Sequence, residues 1–421
     1  MTSKLTDAAR RAAVRVNEDR LWQRLADMGE IGARGDGTMS REALTKADRD
    51  ARARLAEWGD GLGLSVTMDE QANLFLRLEG AAKAPAVLAG SHLDTQPVSG
   101  RFDGAYGVLA ALEAAEAIRE AGVTLKHPID VVSWTNEEGC RFAPSCNGSQ
   151  VWAGTRKLKD NFDDRDAAGI RYGDALMNTL VELQHIPRRP LGGTCVAYIE
   201  PHIEQGPVLD SSGVPIGLVT GVQGLRTFSI AIDGETAHAG TTPMRVRKDA
   251  FQAAIRAINA LNKAMHDPDD TLRFTVGRMI LQPNTPNAVP AKAVFSVDLR
   301  HPDGAVLSRI GDSIEGIVSQ AASPLRVRVE ETLSTAPHEF QPAIAERLEK
   351  AAIGLGIAHM RLTSGAYHGA VFIEQKCPAG MLFVPCRGGI SHGGEEYVAP
   401  DHAAAGARVL AAALVELGEP I

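Results

Sequence analysis

Two stretches of this chain put histidine and carboxylate side chains where predicted strands run out. PAVLAG leads directly into Gly90-Ser-His-Leu-Asp-Thr95, and IDVVSW leads into Thr135-Asn-Glu-Glu-Gly139. In open α/β sheets, ligands bind at the carboxyl ends of strands. His92 and Asp94 are two apart, so on an extended segment both project from one face. A metal-binding imidazole needs its second ring nitrogen fixed by an acceptor, and Asp94 is placed to supply one. Asp103 follows in the glycine-rich turn Arg101-Phe-Asp-Gly-Ala-Tyr-Gly107, which opens the next helix. The adjacent Glu137 and Glu138 permit a division of labour, one binding metal and the other carrying protons. His202, in YIEPHIEQGP, and His392, in GGISHG, stand in further motif-like settings. Taken singly these are weak signals, because imidazoles often pack or cap and paired glutamates are often solvated. Together, three histidines and two carboxylates in glycine-bounded turns fit the nitrogen and oxygen ligand set of a two-zinc hydrolytic site.

The elements that must position them read as follows. Leu21, Leu25 and Met28 predict an amphipathic helix. A second helix begins at Thr45, where T-K-A-D reads as a capping box, and ends at Gly59 and Gly61. Strand-length apolar runs then appear (LSVTMD, NLFLRLEG, PAVLAG, IDVVSW), with a helix from Tyr106 to Glu120, which implies an α/β sheet covered on both faces. From about Leu225 the order becomes strand, helix, two strands (RFTVGRMILQ and AKAVFSVDLR), helix and strand, the split βαβ arrangement of ferredoxin-like domains. In that first helix Ile255, Ile258 and Leu261 are expected inward. The chain then returns to a helix from Ala343 to Ala351 and the strand MLFVPC. The predicted organisation is a first domain of residues 1–222 and 335–421, interrupted by a second of residues 223–334.

At 421 residues two domains are the natural division. A formal net charge of -8 excludes nucleic acid or an anionic membrane as the main partner. Five scattered cysteines without a C-x-x-C pair argue against a disulfide framework and for a reducing, cytoplasmic setting. The first residues carry no apolar signal-like core, and no run approaches the ~20 residues of a membrane span.

The segments GSHLDT, RFDGAYGVLAALE, TNEEGCRFAP, YIEPHIEQGPVL, ETAHAGTTPMRVRKDA, PNAVP, VDLRHP and FVPCRGGISH, in this order, resemble the zinc-dependent hydantoinase/carbamoylase amidases. That family includes N-carbamoyl-L-amino-acid hydrolase, beta-ureidopropionase and allantoate amidohydrolase. The resemblance implies a di-zinc aminopeptidase-like catalytic domain with an inserted ferredoxin-like α+β lid, through which a homodimer forms. It makes His92 and His202 ligands of one divalent metal, Glu138 and His392 ligands of the other, and Asp103 the bridge. Glu137 becomes the general base and Asp94 the partner of His92. His238 would reach the partner subunit's active site and steady the oxyanion. Asn287 and Arg300 would hold the substrate carboxylate, and Gln205 the carbamoyl end. The metals would be zinc, with manganese or cobalt also admitted by such ligands. The implied reaction is hydrolysis of the carbamoyl bond of a small N-carbamoyl or ureido acid.

The sequence departs from the family twice. Its usual SGAGHDA reads Ser364-Gly-Ala-Tyr-His-Gly-Ala370, so Tyr367 and Gly369 replace a glycine and an aspartate. Leu225 stands where allantoate amidohydrolases carry a glutamine, which favours a substrate with one carbamoyl group. Three rivals exist: an aminoacylase or dipeptidase on the same site, a non-catalytic binding protein, and a serine hydrolase using Ser391. The last rests on Gly389-Ile-Ser-His-Gly393, with Asp401 and His402 downstream.

Overall fold

The computed structural model of the protein describes residues 4–421. The described backbone divides into two compact units, residues 4–220 with Phe340–Ile421, and Gly221–Glu339.

In the first unit the middle of the sheet runs Ile129–Trp134, Ala86–His92, Cys195–Ile203 and Ala379–Val384, each parallel to its neighbour. Ser65–Met68 and Leu74–Leu78 extend it antiparallel on one side and Ile216–Val222 on the other. The parallel strands are buried almost from end to end. That is why they read as continuous apolar runs: helices cover both faces. Helices Ala105–Glu120 and Pro400–Leu417 pack together and are buried on nearly every side, which their alanine-rich sequences allow. At Gly107 a Cβ would lie 2.1 Å from the Pro201 carbonyl oxygen, so only glycine lets that helix sit so close to the strand bearing His202. The sense of the parallel strands is what matters for function. It brings the segments after residues 92, 134 and 384, and the end of Cys195–Ile203, to one edge.

The helices near the start form as expected. Leu21, Leu25 and Met28 are buried in Glu18–Glu30. The Thr45 side chain accepts from the Asp48 amide and caps Lys46–Gly61. The reciprocal half of the capping box shifts by one residue, since Asp48 accepts from the Leu44 amide.

In the second unit an antiparallel sheet runs Met279–Gln282, Lys292–His301, Gly224–Asp233, Arg326–Thr335. Counted along the chain, the order is second, third, first, fourth. Helices Ala250–Ala264 and Gly304–Ala322 share its core. Two details differ from the sequence reading. The stretch 273–282 is two short strands, Arg273–Thr275 and Met279–Gln282, parted around Gly277. Also, although Leu261 is buried and Ile258 packs partly buried against the core as expected, Ile255 is exposed, and the rest of the inward face of Ala250–Ala264 is made by Ala250, Ala253, Ala254 and Ala257. Alanines let the helix lie close, so they fill the face where Ile255 was expected.

The cysteine expectation needs a correction. Cys195 and Cys377 form a disulfide, with Cα atoms 5.9 Å apart, across a sequence separation of 182. Cys195 starts one central strand and Cys377 stands just before its parallel neighbour, a proximity created only by strand pairing. The case for a reducing compartment rested on unpaired cysteines and loses that premise here. Among the described residues no helix is long and apolar enough to cross a membrane.

Candidate metal centre

Asp103 lies at the middle of the constellation, in the turn before helix Ala105–Glu120. Its two oxygens face different groups. Oδ1 is 3.2 Å from His202 Nε2 and 3.8 Å from His92 Nε2. Oδ2 is 3.0 Å from His392 Nε2, which is 3.8 Å from Glu138 Oε2. Two triads result, His92–Asp103–His202 and Asp103–Glu138–His392, each with its donor atoms within 4.8 Å of one another. They share the one aspartate.

The second ring nitrogens settle which lone pairs point inward. His92 Nδ1 is 2.8 Å from the Asp94 main-chain oxygen, and His202 Nδ1 is 3.0 Å from that of Ile203. A carbonyl only accepts, so each Nδ1 donates to it, and each Nε2 is the ring nitrogen left facing Asp103. Here the expected role of Asp94 changes. Its carboxylate is 3.9 Å from His92 Nδ1, and it accepts instead from the amides of Glu137 and Glu138, both at 3.2 Å. Asp94 therefore orients His92 through its main chain and fixes the glutamate turn through its side chain.

Divalent cations fit this donor set. His202 Nε2 and Glu138 Oε1 are buried without a hydrogen-bond partner, and such orphaned atoms are costly unless something absent from the chain meets them. Burial holds His92 neutral, its pKa lowered to about 4. Burial, followed by the charges of neighbouring carboxylates, pushes Glu137 and Glu138 well above the carboxylate range. Burial acts on Asp103 as well, but the His392 hydrogen bond and the surrounding imidazoles outweigh it and keep the carboxyl ionised. Crowded, buried carboxylates beside imidazole nitrogens form a cation-binding pattern.

The surroundings are tightly constrained. Gly104 has φ +64, and a Cβ there would sit within 2.3–2.4 Å of the His92 ring. Asn136, Cys146, Gln205 and His392 are non-glycine residues with φ between 53 and 56. Such strain gathers at functional sites.

Gln205 belongs to the site, with Nε2 donating to Asp103 Oδ2 at 2.9 Å and lying 3.3 Å from His392 Nε2. His238, Asn287 and Arg300 lie in the second unit. His238 pairs with Ala288 in a two-stranded ribbon, and the Asn287 carbonyl accepts from the Ala239 amide. His238 Nδ1 accepts from the amides of Gly240 and Thr241, which leaves the proton on Nε2. Arg300 donates through Nε and Nη2 to the two oxygens of Asp298, at 2.9 and 3.1 Å.

Two buried glutamates escaped the sequence reading. Glu396 accepts from the amides of Phe102 (2.8 Å) and Asp103 (3.0 Å) and from Ser391 Oγ (3.0 Å). It thereby ties the Asp103 turn to the His392 loop. Glu200 accepts from Ser91 Oγ and the Ala370 amide. Their only sequence signal was nearness to His392 and His202.

Ser391 gives the serine-hydrolase reading no support. Its hydroxyl is engaged by Glu396, Asp103 and Gln205, and among the described residues no ring nitrogen hydrogen-bonds to it. Asp401 meanwhile accepts from the His402 main chain.

Two candidate cation-binding triads sharing Asp103, at the carboxyl edge of a parallel α/β sheet, point to a class, the metallohydrolases. The chain belongs to peptidase family M20/M25/M40, whose profile matches residues 88–416; this family is metal-dependent. It is 39% identical to an N-carbamoyl-L-amino-acid amidohydrolase of Rhizobium meliloti, over 96% of this chain and 97% of that protein. It is 33% identical to the allantoate amidohydrolase of Bacillus subtilis, over 93% and 95%. Among solved structures, an amidase of the hydantoinase/carbamoylase family from Burkholderia multivorans superposes with a TM-score of 0.89 at 39% identity, covering 96% of this chain and 99% of that one.

Proposed function

We propose that the protein hydrolyses the carbamoyl C–N bond of an N-carbamoyl-L-amino acid or a close ureido acid, releasing the amino acid, carbon dioxide and ammonia. The observation that carries the proposal is Asp103 with one oxygen facing each ligand triad and Glu137 beside them. The similarity to carbamoyl-amino-acid amidohydrolases supports the choice of bond.

His92, Asp103 and His202 would hold one divalent cation, and Asp103, Glu138 and His392 the other, with zinc our choice. Cations bound there would polarise the ureido carbonyl and make water a better nucleophile. The other roles belong to the chain. Glu137 takes the proton of the attacking water and returns it to the departing nitrogen. Gln205 donates to the carbamoyl end. His238, with its proton on Nε2, is suited to steady a developing oxyanion, which we assign across a homodimer formed through the inserted unit. Asn287 and Arg300 would hold the carboxylate, and for Arg300 that means sharing or releasing the fork now engaged by Asp298. Leu225 lies directly across the strand pair from Arg300. An apolar side chain there offers nothing to a second ureido group, which favours a monocarbamoyl substrate over allantoate.

The test is ammonia release from N-carbamoyl L- and D-amino acids, carbamoyl-beta-alanine, allantoate and N-acetyl amino acids, after chelation and after metal is restored. We expect metal-dependent turnover, highest on an N-carbamoyl-L-amino acid. Preference for N-acetyl substrates would replace this reading with an aminoacylase, and turnover unaffected by chelation would end it.

A further inference from the structure

We propose that Cys146 is a positioning residue for Glu137, its thiol holding one carboxylate oxygen so that the other is presented to the reacting water. The inference rests on the reading of Glu137 as the base.

Cys146 Sγ lies 3.2 Å from Glu137 Oε1. The other oxygen, Oε2, faces the candidate ligands, 3.5 Å from His92 Nε2. The Cys146 amide also donates to the Glu137 carbonyl, at 2.7 Å, so one residue grips both the main chain and the side chain of the glutamate. A thiol is a weak donor and a weak acceptor. Beside a carboxylate it can only help by donating, and burial keeps it protonated to do so.

The backbone supplies a second, independent observation. Cys146 has φ 56 and ψ 26, left-handed, just ahead of helix Asn147–Ala153. A residue bearing a Cβ is disfavoured there and glycine is not. The side chain held at this strained position is the one that touches Glu137, and it is 1% exposed. Cys146 is not among the proposed ligands, so its work is to restrict Glu137. A carboxylate free to rotate would present either oxygen, or neither, to the water between it and the carbonyl. A small loss of alignment is expensive in proton transfer, since a 1 Å misplacement can cost on the order of a hundredfold.

The test compares Cys146→Ala with Cys146→Ser in the metal-loaded enzyme. In Cys146→Ala we expect kcat to fall by roughly ten- to a hundredfold, with KM, bound metal per chain and Tm close to wild type. Cys146→Ser, whose hydroxyl donates in the same direction, should recover most of kcat. Cys146→Gly suits the left-handed backbone and gives the same comparison should the alanine variant fold poorly. A donor-free variant with kcat within about twofold of wild type would overturn the inference. So would a serine variant as impaired as alanine, because packing rather than donation would then be the cause. Glu137→Gln separates the two layers. If it retains full kcat, the base assignment fails and takes this inference with it. If it is inactive while Cys146→Ala is normal, only the positioning role is lost.

Discussion

Glu396 is the residue whose replacement tests most directly how the site is held together. Its carboxyl is buried and joins the Phe102–Asp103 turn to Ser391. Burial, and then the negative field of Asp103, raises its pKa from an ordinary 4.5 to about 7. The folded-state value lies above the unfolded one, so the contribution to stability is fully present below about pH 4.5 and is lost as pH rises through about 7. A rise of this size corresponds to about 3 kcal/mol. In Glu396→Gln the amide oxygen can still accept from Phe102 and Asp103, and nothing ionises. In metal-stripped protein, the unfolding free energy of Glu396→Gln should therefore gain on wild type by about 3 kcal/mol between pH 4.5 and 7.5. Urea unfolding at fixed ionic strength across that range measures it. Glu396→Ala adds a control: two buried amides lose their acceptor, at about 1–3 kcal/mol each, so it should be less stable than the glutamine variant throughout. Restoring divalent cations should narrow the gap between glutamine variant and wild type, because a cation at Asp103 offsets the field that disfavours the charged glutamate. Parallel pH curves for wild type and Glu396→Gln would refute the reasoning, for they would mean that Glu396 titrates alike in the folded and unfolded chain.

Glu137→Gln should keep its metal content and lose about a hundred- to ten-thousandfold in kcat, checked by metal analysis alongside ammonia release. Arg300→Ala should chiefly raise KM for carboxylate-bearing substrates; an unchanged KM would leave Arg300 as the partner of Asp298 and no more. Mixing inactive His238→Ala with inactive Glu137→Gln subunits should restore part of the activity if His238 serves a neighbouring active site. No rescue after confirmed subunit exchange would remove it from that role. Divalent cations should raise Tm in proportion to the logarithm of their concentration above Kd, and a chelator should reverse the gain.

Much of the site was legible because its residues sit where strand patterns end. His92, Asp103, Glu138, His202 and His392 could be named from local motifs, and the two triads contain these five side chains. The strand carrying His202 was harder to see, because Glu200 and Pro201 break its apolar run, and a proline normally argues against a central strand. It is accommodated at the end of Cys195–Ile203, beside Ala379–Val384.

By itself the sequence determined the residue types, the turns that display them and the alternation of elements, since each of these is set within a few neighbouring positions. Tertiary structure decided whatever depends on distance between remote segments. It brought Cys195 to Cys377 and Glu396 to the amide of Asp103, and it gave the two oxygens of Asp103 to separate triads. It also engaged the Asp94 carboxylate with the amides of the glutamate turn, while Cys146 Sγ came to rest against Glu137. The physical reason is that a hydrogen bond or ligand position is fixed to within tenths of an ångström, whereas a motif fixes only which side chain is available. The closing of the parallel sheet converts the one into the other.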